Sequence, residues 1–209
     1  MVASGSVEAR MFRKIKQGKA VLFLGAGASQ LAGAPPGPDL AEMVCKEFLP
    51  NTKAVSTDFI DTLSKVLDTP GIDRSSVEEF IRSKLNVQPS QAHIDLCQMR
   101  WQAIFTTNYD DLVETAYRIA PRKAQDRCDP TFDRLFSRTE SDCMDVVRLF
   151  KLMGSVSGKD RKSRMALSRS DYHRKIQQRE GLFRLLWDMA KDGRNPDEIT
   201  LRKLNAAIY

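Results

Sequence analysis

Histidine is scarce in this chain: His93 and His173 are the only two among 209 residues. Chemistry that needs an imidazole base must run through one of those positions or do without it. The four cysteines, Cys45, Cys97, Cys128 and Cys143, stand far apart with no Cys-x-x-Cys pair. That spacing argues against both a zinc ribbon and a disulfide framework, and the expectation is reduced, mostly buried thiols. No run approaches the roughly 18 apolar residues of a membrane span. The opening MVASGSVEARMFRKIKQG lacks the apolar centre of a secretory signal. Together these absences point to a cytoplasmic protein with no metal and no membrane partner.

What is present is ordinary globular material, 42% hydrophobic and 29% charged, enough for one domain with a real core. The net charge of +6 gathers largely in Lys159, Arg161, Lys162 and Arg164, then Arg169, Arg174, Lys175 and Arg179. A nucleic-acid surface would need interleaved aromatics or a binding motif, and neither is here. The stretch reads as a solvated loop and helix face, so nucleic acid is not the expected partner.

Periodicity predicts a helix over about 7–17, capped by Ser6 and ended by Gly18, then a buried strand at 20–24. The prolines at 34–38 predict a fixed loop. Asp39 is the expected cap of a helix with Leu40, Met43, Val44 and Phe48 on one face. Further helices are expected at 57–67, at 77–85 with Ser76 and Glu79 as a capping box, and at 91–99 behind Ser90. A second strand is expected at 102–107, with Leu112, Val113, Ala116 and Ile119 on the inner face of the next helix. A third strand is expected at 146–153, a short one at 165–168, and helices at about 170–191 and from Pro196 onward.

Three expected strands end in small or polar clusters: GAGAS (25–29), TTNYD (106–110) and GSVS (154–157). In an open parallel sheet the strand C-termini share one edge, and ligands bind in the crevice there. The fold class is therefore α/β, a Rossmann-like parallel sheet flanked by helices, with a helical insertion at about 40–100 between the first and second strands. The dinucleotide fingerprint GxGxxG fails, because Gln30 stands three residues after Gly27 and the next glycine is Gly33. What survives is close approach of backbone N–H groups to a phosphate. Asn108 offers a carboxamide just past a strand end, whereas Asp110 and Asp111 are candidate helix caps.

In their order and spacing, GAGAS with Gly33 and Pro35, FTTNYDDLVETA, KLMGS and LSRSDY resemble the sirtuin-like NAD hydrolases of bacterial antiviral defence, over roughly residues 18–172. The resemblance implies a sirtuin-like NAD-binding domain at 1–192, with 193–209 a C-terminal helix or the start of a further segment. It implies that Gly25, Ala26, Gly27 and Ser29 embrace the NAD pyrophosphate, and that Gly33 and Pro35 continue over the nicotinamide side. Thr107, Asn108 and Asp110 fall on the T-x-N-x-D motif, whose Asn positions the nicotinamide ribose and the attacking water. Gly154 and Ser155 fall on the residues after the catalytic histidine. That histidine is Met153 here, a thioether that neither accepts nor donates a proton at neutral pH. The zinc module of the deacetylases is missing too, which argues against protein deacetylation.

The resemblance implies an NAD+ glycohydrolase that depletes NAD as a defence effector, working as a homo-oligomer or beside further domains of a longer protein. Its alternative is a degenerate module that binds NAD or ADP-ribose without turnover. Loss of a general base removes about 10²–10⁴-fold in rate, roughly 3–5 kcal/mol of barrier, and leaves binding intact. His173, Asp110 and Asp111 are the candidate substitutes for the base, while His93 is expected at the surface or its boundary.

Overall fold

Four parallel strands in the order β1-β2-β4-β3 form the only sheet among the described residues. The computed structural model describes residues 6–51, 58–128, 146–158, 164–181 and 184, the side chains of 126–128 and 146 excepted. In chain order the elements are α1 (Val7–Lys16), β1 (Val21–Leu24), α2 (Ala26–Gln30), α3 (Gly37–Phe48), α4 (Phe59–Asp68) and α5 (Arg74–Lys84). There follow α6 (Gln91–Leu96), β2 (Ala103–Thr106), α7 (Leu112–Ile119), β3 (Asp126–Cys128), β4 (Val146–Lys151) and α8 (Arg169–Gln178). The expected α/β architecture with a helical insertion is what the chain adopts.

The register matters most for function. Leu24 lies beside Thr106, and Thr106 beside Lys151, so β1, β2 and β4 end flush. The three polar clusters that follow them are thereby delivered to one edge. Alternation along buried strands sends Ile104, Val147 and Leu149 to one face, where Trp101, Ala116 and Tyr117 cover them. Phe105 and Phe150 point to the other face and stack with centroids 4.7 Å apart. The helical insertion has its own core of Leu40, Val44, Leu63, Val66, Val77 and Ile81, closed by Val156, Met165 and Leu167.

Several local expectations change. α3 starts at Gly37 with Pro36 as its cap, not at Asp39, because Pro38 sits in the first turn, where its missing N–H costs nothing. Leu40 and Val44 face inward as expected, joined by Ala41 and Cys45, whereas Met43 is 40% exposed. α5 is capped by Asp73, whose carboxylate accepts the Ser76 N–H at 3.1 Å, so the Ser76 capping box does not form and Glu79 pairs with Arg82 instead. In α7 Tyr117 takes the inward position and Ile119 is exposed. β3 was not foreseen, being only three residues long.

β4 stops at Lys151, short of the expected 153, and the 165–168 segment is no strand. One parallel bridge joins Ser155 to Arg164, and the Ala166 N–H bonds the Met153 carbonyl at 2.9 Å. Cys45 and Cys97 are buried thiols in no disulfide; Cys143 and the side chain of Cys128 lie outside the described residues, as does the expected helix at 193–209.

Gly154 makes this crossing feasible. Its φ is +91°, and a Cβ there would lie 2.2 Å from the Arg164 carbonyl oxygen. Gly27 meets nothing within 4 Å. Gly154→Ala is therefore expected to lower unfolding stability by more than about 2 kcal/mol in urea titrations. Gly27→Ala, within α2, should leave it equal or higher by up to about 1 kcal/mol.

Candidate functional site

Thr106, the last residue of β2, begins the site. Its hydroxyl donates to the Leu24 carbonyl at 3.1 Å and accepts the Asn108 N–H at 3.0 Å. This hydroxyl, and not that of Thr107, locks the turn two residues ahead of Asn108. The Asn108 carboxamide then reaches across to β1: Nδ2 donates to the Gly25 carbonyl at 2.9 Å and to Ser29 Oγ at 2.7 Å. Ser29 in turn donates to Asp110 Oδ2 at 2.6 Å. Asp110 Oδ1 accepts the Leu112 N–H at 3.2 Å, which starts α7. Asn108, Ser29 and Asp110 thus form one chain of hydrogen bonds joining the GAGAS and TTNYD clusters, with both Asn108 donors committed.

GAGAS is not an open loop. Gly25 is the N-cap of α2, and residues 26–30 make one helical turn that carries Ser29 inward. A Cβ at Gly25 or Gly27 would meet nothing within 4 Å among the described residues, so packing against them does not explain why these positions lack side chains.

A cleft of about 230 Å³ opens at this edge. Ala26, Ser29, Pro35, Thr107, Asn108, Asp110 and Met153 line it, so seven of the residues singled out from the sequence meet in one place. Gly25 contributes through its carbonyl. Gly27, Gly33, Gly154 and Ser155 are not on its wall. The sequence reading missed the rest of the wall: Leu40, Phe59, Ile60 and Leu85 from the insertion, together with Tyr109 and Tyr172. Periodicity marked the insertion's apolar residues as core, and nothing local distinguishes a core residue from one facing a cleft.

Ser155 belongs to a second centre. Its side chain is buried and donates to Asp111 Oδ1 at 2.8 Å while accepting from Lys151 Nζ at 3.0 Å. Lys151 has no exposed surface. Its ammonium also meets Asp111 Oδ1 and Glu114 Oε1, each at 2.8 Å, the Asp110 carbonyl at 2.5 Å and the Tyr109 carbonyl at 3.2 Å. Burial works against the charge, but Glu114 and Asp111 outweigh it and hold Lys151 above its ordinary range. Burial likewise opposes ionisation of Asp111, yet Lys151, Ser155 and Ser157 keep its carboxyl below the usual range. Burial pushes Glu114 upward in spite of Lys151. The signal for this centre was in the sequence: a lysine inside an apolar strand run must be paired when buried.

The candidate bases separate clearly. His93 is buried, not at the surface, because α6 turns it beneath Ser90; its Nδ1 lies 2.8 Å from Ser90 Oγ and 3.3 Å from the Ser90 N–H. Burial lowers its pKa. His173 is exposed. Neither histidine lines the cleft, Asp111 faces the Lys151 centre, and among the described residues Asp110 is the one carboxylate on the wall. Met153 is 3% exposed and packs with Phe150, Leu152 and Ala166. No cluster of metal-ligating side chains exists among the described residues, and no described helix is long and apolar enough to cross a membrane. The described arginines of the basic stretch are tied down: Arg164 to Glu78 at 2.7 Å, Arg169 to Asp61 at 2.6 Å, Arg174 to Asp171, and Arg179 to the Lys151 carbonyl, with Arg179 and Lys175 buried and not on the expected solvated face. Lys159, Arg161 and Lys162 lie outside the described residues.

In an open parallel α/β sheet ligands bind in the crevice at the C-terminal edge of the strands, and the cleft lies at that edge. Residues 102–193 match the family model of the SIR2-like domain. The match takes in β2, α7, β3, β4 and α8, rather less than half the chain, and supports a sirtuin-like family and an NAD-related function. No curated protein matches the chain.

Removing the buried ammonium should show its role in stability. Lys151→Met leaves Asp111 and Glu114 facing each other and is expected to cost about 3–5 kcal/mol at neutral pH. Because the folded pKa of Lys151 is raised, its contribution is full below the unfolded value of about 10.4 and fades as pH rises through the folded value. Urea midpoints measured from pH 7 to 11 should fall at the alkaline end, and less steeply in the variant.

Proposed function

We propose that the chain is an NAD+ glycohydrolase of sirtuin type that binds the nicotinamide end of NAD+ in the Asn108 cleft. The observation that carries this reading is the bonded chain Asn108–Ser29–Asp110 on the same wall as Met153, at the flush ends of β1, β2 and β4. The cleft is smaller than the roughly 300–1,000 Å³ of a whole-ligand pocket, so it suits one end of a dinucleotide. The open space above Gly25 and Gly27 supports the pyrophosphate lying there. In the reaction the ribose–nitrogen bond breaks and its electron pair passes to the ring, which leaves as neutral nicotinamide. The oxocarbenium-like ribose takes hydroxide from water, yielding ADP-ribose and a proton.

Asn108, oriented through both its donors, positions the ribose and the water with its carbonyl oxygen. Asp110 is the carboxylate nearest to hand for the proton. Met153 supplies no base, so turnover is slow. The setting is NAD depletion in antiviral defence in the cytoplasm, as a homo-oligomer or with further domains; the motif resemblance alone supports that part. A second reading, NAD or ADP-ribose binding without turnover, is favoured by Met153 together with the exclusion of both histidines from the cleft.

Chromatography of NAD+ incubations separates the two. Hydrolysis predicts nicotinamide release above buffer, abolished by Asn108→Ala, and a gain approaching about 10²-fold in Met153→His. Calorimetric NAD+ binding with no release would establish the binding module instead, and absence of both binding and release would sink the NAD reading.

A further inference from the structure

A second cavity, larger than the cleft, lies across Leu85 from it, and Leu85 is the one described residue on both walls. It is a groove of about 1200 Å³ between α5 of the insertion and α7, closed on one side by Val156, Ser157 and Gly158. Such a volume is on the scale of the larger small-molecule sites, roughly 1,000 Å³. The turn after β2 divides the two spaces: Asp110 lines the cleft and Asp111 lines the groove.

Three features of the groove differ in their chemistry. The first is Asp111, whose side chain is 31% exposed. Lys151, Ser155 and Ser157 all bond its Oδ1, and no described hydrogen bond reaches Oδ2. Against burial, those partners keep the carboxyl ionised, so Oδ2 is an acceptor and a poor base. The second is a set of three guanidiniums from separate parts of the chain: Arg82 of α5, Arg118 of α7 and Arg164. Arg118 bonds the Thr115 hydroxyl and meets no described carboxylate. Arg164 bonds Glu78 through Nε, so no described residue engages its two terminal nitrogens. The third is an apolar strip of Leu85, Val87, Val156 and Ile119, with Ile119 54% exposed.

Each feature selects against a class of ligand. A cation suited to Asp111 would be repelled by the guanidiniums, and a bare anion suited to them would be repelled by Asp111. Neutral hydroxyls satisfy a carboxylate without adding charge, whereas guanidinium forks match phosphate. A flat ring covers an apolar strip and removes it from water. We propose that the groove is a second ligand site, which binds a mononucleotide with its phosphate on the guanidiniums, its ribose diol on Asp111 Oδ2 and its base on the apolar strip. The cleft offers a different chemistry, since no described lysine or arginine lines it. Binding in the groove does not depend on NAD+ binding in the cleft.

The test titrates the whole chain with AMP, 2′-deoxy-AMP, adenosine and inorganic phosphate by calorimetry. AMP should bind, and 2′-deoxy-AMP and adenosine should each bind at least about tenfold more weakly, because each lacks a group that bonds a charged side chain. Varying the ligand spares Asp111, which also pairs with Lys151. Arg118 is exposed, and Arg118→Ala, checked by circular dichroism for an unchanged fold, should weaken AMP towards the level of adenosine while leaving adenosine itself unaffected. Asn108→Ala should leave AMP affinity as it is. Failure of AMP to bind at millimolar concentration, equal binding of 2′-deoxy-AMP or adenosine, or phosphate binding as tightly as AMP would overturn the proposal. So would loss of AMP binding in Asn108→Ala with no loss in Arg118→Ala, which would put the nucleotide in the cleft.

Discussion

A single buried ammonium holds the business edge of this sheet together. Lys151 ends β4, and its Nζ gathers the Asp111 and Glu114 carboxylates, the Ser155 hydroxyl and the carbonyls of Tyr109 and Asp110. Those carbonyls belong to the turn that carries Asn108 and Asp110. Ser155 begins the segment that crosses to Arg164. One charge therefore ties the end of β4 to the end of β2 and to the start of α7. In a medium of low dielectric such a charge is tolerable only when fully surrounded by acceptors. The arrangement is consequently close to all-or-none, and the turn that presents Asn108 inherits its rigidity.

The second tie runs through Asn108 to Gly25 and Ser29, bringing β1 into the same edge. The two networks lie back to back. One faces the cleft with Ser29, Asn108 and Asp110, and the other centres on buried Lys151 and Ser155 with half-buried Asp111. Residues adjacent in the chain, Asp110 and Asp111, are divided between them. Asp110 turns to the cleft because its Oδ1 accepts the Leu112 N–H and its Oδ2 the Ser29 hydroxyl. Asp111 turns to the lysine. Binding geometry on the exposed side thus depends on electrostatics on the buried side. The chemistry follows the same division: among the described residues the cleft wall holds one carboxylate, no imidazole and a thioether.

The insertion completes the site from outside the sheet. Arg74 bonds Glu78 and Asp171, each at 2.7 Å, and Arg164 bonds Glu78 from the other side. These pairs fasten α5 to the segment leading into α8. Phe59 from α4 and Tyr172 from α8 are thereby held over the same cleft. Met153 lies beneath, its carbonyl held by the Ala166 N–H.

Much of this architecture was legible in the residues. Apolar runs 20–24, 102–107 and 146–153 marked the three main strands, although β1, expected to be buried, stands last in the strand order and is only part-buried, with Phe23 51% exposed. The small and polar residues after them marked a shared edge, since parallel strands end on the same side. Asn108 stood out because its neighbours already accounted for the helix start. What stayed hidden is non-local. Whether Asp110 or Asp111 faces the cleft depends on where Lys151, at the end of β4, and Ser29, in α2, arrive from about 40 and 80 positions away. Whether Ser155 faces ligand or core depends on the Gly154 crossing against Arg164. The aromatic part of the cleft wall depends on α4 and α8, distant in the chain, meeting at the cleft. Periodicity decides which side of an element is apolar, whereas packing decides what that side meets; the sequence determined the sheet and its polar edge, and only the tertiary structure decided which of those residues share a cleft.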